Sequence, residues 1–145
     1  MAAYNGTKSR GLGIPTKEHH HVNRVVGSFA VSVALALNDT IELCGMPSGA
    51  ILTDFHIAVP DLDTGGSPAI TLSLGDLESA ARYVSASTVG QAGGVISRSA
   101  TPQIAASVGF QTTVETALIL TVAAGPQTGA TGVTINYIIE YTMNP

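Results

Sequence analysis

Residues 133–141, VTINYIIEY, place Val133, Ile135, Tyr137, Ile139 and Tyr141 at every second position. Apolar residues at every second position over nine residues match the two-residue period of a β-strand and conflict with the 3.6-residue period of a helix. The pattern recurs along the chain. Phe29, Val31, Val33, Leu35 and Leu37 alternate with Ser28, Ala30, Ser32, Ala34 and Ala36, and Asn38-Asp39 then supplies a turn. Thr40–Cys44 reads as a short strand closed by the turn residues Pro47 and Gly49. Ile51, Thr53, Phe55, Ile57 and Val59 alternate up to Pro60, which removes a ladder donor. Ile70, Leu72 and Leu74 share a face, IAASVGF (104–110) is a weaker strand candidate, and Val114, Leu118, Leu120 and Val122 mark a strong one over 111–123.

Seven or eight strands separated by glycine-rich turns predict an all-β chain: an antiparallel β-sandwich, jelly-roll-like in the preferred version. One short helix is expected over LESAARYV (77–84), capped by Asp76, and Ser85–Gly94 reads as loop. Residues 1–22, MAAYNGTKSRGLGIPTKEHHHV, show no sustained period and read as an extended N-terminal arm, with 23–145 a single sandwich domain.

At 145 residues the chain can bury a core without disulfides or metals. Only 11% of its residues are charged and 45% are apolar, so much of the surface must be small and uncharged. Such a surface is cheap to desolvate against other proteins, which points towards assembly. The net charge of −4 argues against binding a phosphate backbone. Four of the six basic residues, Lys8, Arg10, Lys17 and Arg24, lie in the first 24 positions, where a solubilising terminus is the simpler reading than a nucleic-acid contact. Cys44, the single cysteine, follows an apolar run and is expected to be a buried small hydrophobe. No signal-peptide pattern and no run of about 20 apolar residues is present, so a soluble, non-secreted protein without membrane contact is expected.

Several constellations invite chemistry, and each has a plainer explanation. His19 and His21 fall on one face of an extended strand with His20 opposite, a pattern able to hold a metal when repeated about a symmetry axis; a polar interface patch explains it as well. Asp54, Asp61 and Asp63 carry oxygen ligands for Ca²⁺ but lack EF-hand spacing. Asp54, His56 and any of several serines compose a triad on paper without a nucleophile elbow. QAGGV fits neither dinucleotide nor P-loop patterns. No catalytic residue, metal or cofactor is assigned, and no enzyme activity is expected.

The segment from IELCGMPSGAIL through DLDTGGSPAITLSLGDLESAARYVSASTVGQAGG resembles small structural proteins of tailed bacteriophages. The matching positions are Asp61, Asp63, Thr64, Ile70, Leu72, Gly75, Asp76, Ala80, Arg82, Tyr83 and Gly90–Gly94, and the closing strands 117–141 are also similar. The resemblance spans roughly residues 40–142 and implies a virion component: a decoration protein on the outer capsid surface that binds the major capsid protein and self-associates as a homotrimer. A neck or tail adaptor is the alternative, and a carbohydrate-binding jelly roll a further one, disfavoured because aromatics are only 5%. The interface candidates are Tyr4, Leu12, Ile14 and Pro15 as apolar anchors of the arm, His19, His20 and His21, and the loop residues Arg82, Tyr83 and Gln91. Within that loop Asp76 caps the turn, Arg82 pairs with Glu78 at i,i+4, and Tyr83 pins the turn to the sheet edge.

Overall fold

A computed structural model describes residues 6–10, 22–98 and 105–143, the first of these segments by its backbone only. Among them are nine strands: β1 (Gly6–Arg10), β2 (Val22–Val31), β3 (Thr40–Met46), β4 (Ala50–Val59), β5 (Thr71–Gly75), β6 (Val84–Ser87), β7 (Gly94–Ser97), β8 (Thr116–Ala124) and β9 (Val133–Met143). They form a five-stranded sheet ordered β1-β2-β9-β4-β7 and a four-stranded sheet ordered β3-β8-β5-β6. Every pairing is antiparallel. The chain crosses between sheets at nearly every connection, a jelly-roll-like winding with β1 added at one edge.

The backbone of the sandwich is the unbroken ten-rung ladder from Val22↔Thr142 to Val31↔Val133. Odd-numbered residues of both strands point inward, so Val25, Phe29 and Val31 face Ile135, Tyr137, Ile139 and Tyr141 in the core. The four-stranded sheet contributes Ile41, Leu43, Leu72, Leu74, Leu118 and Leu120. Cys44 is fully buried among them, as expected of a small hydrophobe.

The structure corrects five sequence expectations. The strand expected at 28–37 runs instead from Val22 to Val31, leaving Val33 66% exposed. Beyond Val31 the chain turns on itself: Ala36 N–H donates to the Asp39 carboxylate, Asp39 N–H donates to Ala36 C=O, and Asn38 adopts a φ of 70°. In β4 a bulge between Leu52 and Asp54 inserts Thr53, so Leu52 is buried, Ile51 is half-buried, and the inward phase resumes at Phe55, Ile57 and Val59. The Ser85–Gly94 loop contains most of β6, a 3-10 turn over Val89–Gln91 and the start of β7. The IAASVGF strand and the helix over 77–84 are absent; a 3-10 turn spans Ala105–Ser107, and 77–83 is a compact turn.

Candidate assembly surface

The loops gather at two ends of the sandwich. One end carries the β3–β4, β5–β6 and β7–β8 connections, and Asp76 is its organising residue. The buried Asp76 carboxylate accepts the N–H groups of Glu78 at 3.0 Å and Ser79 at 2.8 Å, and its own N–H donates to Ser79 C=O. That is the hydrogen-bond pattern of a capped helix start, here closed into a turn because Arg82 N–H also returns to Ser79 C=O. Gly75 is needed at this point, since a Cβ there would run into the Ser79 and Ala80 backbone.

Arg82 folds back over the turn. Its Nε and Nη2 donate to Asp76, its Nη2 lies 3.6 Å from the exposed Glu78, and its guanidinium sits 3.9 Å from the centroid of the Phe110 ring. The hydrogen bond to Asp76 raises the Arg82 pKa further above its ordinary value. Tyr83 N–H donates to Leu74 C=O, which pins the turn to β5. The Tyr83 ring is 1% exposed, so its place is inside the fold rather than on a contact surface. Burial, followed by the charge of Asp76, pushes its hydroxyl pKa up to about 12. A shallow dimple beside Phe110 is lined by Val114 and the buried Thr116, and Val114, Leu77 and Val108 are exposed at this end.

The opposite end is held by Asp63. Its carboxylate, 1% exposed, accepts five backbone N–H groups, from Gly65, Ala69, Ile70, Gln127 and Thr128. Burial raises the pKa of this group, but the amides of Thr128, Ala69, Gln127 and Gly65 outweigh it and hold the carboxyl well below its ordinary range. These donors occupy the Asp63 oxygens, and Asp61 Oδ1 accepts Asp63 N–H, so loop anchoring accounts for the acidic DLD sequence. Gln91 lies here, donating to Ile70 C=O at 3.1 Å, while Gly90 C=O accepts Leu62 N–H. Gly93, at φ 86° and packed on the Pro60–Asp61 backbone, takes a conformation that other residues resist.

The structure therefore separates the described interface candidates: Arg82 and Tyr83 at one end, Gln91 at the other. Tyr4, Leu12, Ile14, Pro15, His19, His20 and His21 lie outside the described residues. His56 is exposed on the outer face of the five-stranded sheet, with Nε2 3.4 Å from Asp54 Oδ2. Ser97 stands opposite it in the register but is buried, so this serine is not an accessible nucleophile for the paper triad. The same outer face exposes Val22, Val26, Val95 and Ile138, apolar residues in the water-facing phase that the sequence reading passed over.

No family model and no curated protein matches the chain. Solved structures do. A chain from the capsid of Ralstonia phage GP4 superposes with a TM-score of 0.73 at 32% identity, covering 93% of this chain and 92% of that one. A chain from the cyanophage Pam1 capsid asymmetric unit gives 0.68 at 34% identity, covering 92% and 94%. The chain belongs to this family of phage capsid proteins. Likeness over nearly the whole of each chain makes the sandwich itself, rather than a grafted site, what these capsid proteins share.

Proposed function

We propose that this capsid protein is a decoration protein, bound to the outer surface of a tailed-phage head and reinforcing contacts between major capsid proteins. The observation that carries the reading is the end-to-end match to chains from two phage capsids, joined to a surface poor in charge. Many copies on one lattice make each weak contact count, because neighbouring sites raise the effective concentration.

The arm, residues 1–22, of which 6–10 form the edge strand β1 on β2, is proposed as the segment that grips the shell. Residues 23–145 carry nine acids and three arginines, whereas residues 1–22 carry three basic residues, Lys8, Arg10 and Lys17, and one acid. This segregation suits a body held off by an acidic surface and an arm steered towards one, with Tyr4, Leu12, Ile14 and Pro15 as apolar anchors. Copies are proposed to self-associate as a homotrimer at the three-fold points of the lattice, and the mass of the free protein tests this: three chain masses are expected, and a single chain mass overturns it.

Co-sedimentation with purified shells tests the arm. The full chain is expected to pellet with shells, and a chain lacking residues 1–22 to remain in the supernatant while its far-UV circular dichroism still reports a folded sandwich. Undiminished pelleting of the truncated chain removes the arm from the mechanism, and failure of the full chain to bind shells removes the decoration reading.

A further inference from the structure

The end of the sandwich that carries the β5–β6 and β7–β8 connections is apolar and acidic at once. Leu77, Val108 and Val114 are 69%, 67% and 52% exposed there. Val114 and Phe110 line a dimple whose walls are fixed by the fold. Thr112 Oγ1 accepts Ala50 N–H and donates to Pro47 C=O, Thr116 Oγ1 accepts Leu77 N–H, and the Arg82 guanidinium lies on the Phe110 ring. Apolar side chains gathered around a pre-formed hollow mark a contact site. The charge around it is one-sided: Asp76, Glu78 and Glu115 stand against Arg82. Arg82 is held by Asp76, Glu78 is 62% exposed, and the exposed Glu115 has no ion-pair partner among the described residues. A complementary occupant carries apolar side chains between cations and no acid.

Residues 10–17, RGLGIPTK, have that composition. In an extended segment Leu12 and Ile14 share one face, between Arg10 and Lys17; Pro15 falls on the other face, so one segment can lie between a neighbouring copy and the shell. The register brings the start of this segment to the end that carries the dimple. Arg10 pairs with Asn23, Val22 with Thr142, and Met143 with Ala50, which is bonded to Thr112 at the dimple. It also brings it to the opposite side of that end. β1 is an edge strand three places from β4, about 14 Å away at the usual strand spacing. A turn of about two residues would join β1 to β2, yet residues 11–21 lie between Arg10 and Val22. From Arg10 to Pro15 the chain reaches up to about 17 Å, enough to cross from the edge of one sandwich onto the end of the next. A donor at one side and an acceptor at the other suit a head-to-tail contact, which closes into a ring of three when each copy is turned by a third of a circle.

We propose that the dimple beside Phe110 receives the arm of a second copy, with Leu12 and Ile14 against Val114 and Leu77 and the flanking cations beside Glu78 and Glu115. The contact rests on self-association as a homotrimer and is the one that closes it. Analytical ultracentrifugation of full chains tests it. The wild type is expected at three chain masses. An arm variant, Leu12→Asp with Ile14→Asp, and a dimple variant, Leu77→Asp with Val114→Asp, are each expected at one chain mass, because every contact of the ring then buries uncompensated carboxylates. Mixing the two restores a single kind of contact, the intact arm of one on the intact dimple of the other, and is expected to yield two chain masses and no more. Thermal unfolding shows whether the variants stay folded, and Val33→Asp, at the opposite end, is expected to keep three chain masses. Glu115→Lys, on an exposed side chain, is expected to raise the dissociation constant about tenfold or more, and adding Lys17→Glu to bring it back. A trimer unchanged by the dimple variant, a mixture that stays at one chain mass, as an arm seated on its own body would give, or an exchange of charges without rescue overturns the contact and leaves the homotrimer standing. A wild type at one chain mass overturns both. Shell binding by the full chain is read separately, so decoration stands or falls apart from this contact.

Discussion

Replacing Asp76 with alanine probes how the β5–β6 loop of this capsid protein is held. As a cap alone Asp76 contributes about 1 kcal/mol. The structure asks more of it, because the same carboxylate satisfies two backbone N–H groups and also neutralises Arg82 while only 3% exposed. Removing one member of a buried ion pair costs about 3–5 kcal/mol, since the other charge is left uncompensated. Arg82 retains 19% exposure, keeps Glu78 at 3.6 Å and still lies on the Phe110 ring, which places the loss near the lower end, about 3 kcal/mol. For a chain of this length that lowers the Tm by about 10 °C. Urea unfolding followed by circular dichroism, on Asp76→Ala, Arg82→Ala and the double variant, measures both the loss and the coupling. A coupling of about 2 kcal/mol is expected. A loss of about 1 kcal/mol, additive with Arg82→Ala, would refute the ion-pair argument and reduce Asp76 to a cap.

Asp63→Ala leaves five backbone N–H groups without their acceptor, and amides of 64–70 and 126–129 are expected to exchange with solvent at least tenfold faster by hydrogen-exchange mass spectrometry. Unchanged protection would show that the backbone of this end is held by other bonds. The Asp63 carboxyl lies below its ordinary pKa of 3.8, so its stabilisation is present above that value and lost only as the pH falls well beneath it. Protection of these loops at pH 4 is therefore expected to match that at pH 7. Tyr83 has the opposite sign: with its pKa raised from 10.0 to about 12, its contribution is complete below pH 10 and declines between pH 10 and 12, because the unfolded chain ionises first. Urea titrations at pH 9 and 11 should show this fall reduced in Tyr83→Phe, which also removes a buried hydroxyl that has no hydrogen-bond partner among the described residues, at little or no cost at pH 7. An identical fall in both proteins would contradict the assignment.

The elements legible in the sequence are those buried on one face and paired on both sides. β9 shows its inward residues at every second position because it is central and free of bulges across ten rungs with β2. β4 was legible in extent and, from Phe55 onward, in phase; only Ile51 and Thr53 were misplaced, since the bulge at Thr53 depends on the partner strand. β6 and β7 lie at sheet edges, and their short, half-exposed sequences carry no period to read. Asp76 sent a true signal with two meanings: an acid accepting N–H groups two and three residues on serves a helix start and a turn alike. Asp63 looked like a cation ligand because sequence shows acids and hides the amides that converge on them from residues 127 and 128. The outer face did leave a trace. Between Thr134, Asn136, Glu140 and Thr142, Ile138 is the one large apolar residue in the water-facing phase of β9, and register alone reveals that Val26 stands beside it.

The central claim, decoration of the head, is tested most directly by counting copies in purified virions with quantitative mass spectrometry against the major capsid protein. A protein that covers the lattice is present in hundreds of copies per particle, in a fixed ratio to the shell protein. About a dozen copies, the stoichiometry of a ring at a single vertex, would contradict the account and move the protein to the neck or tail.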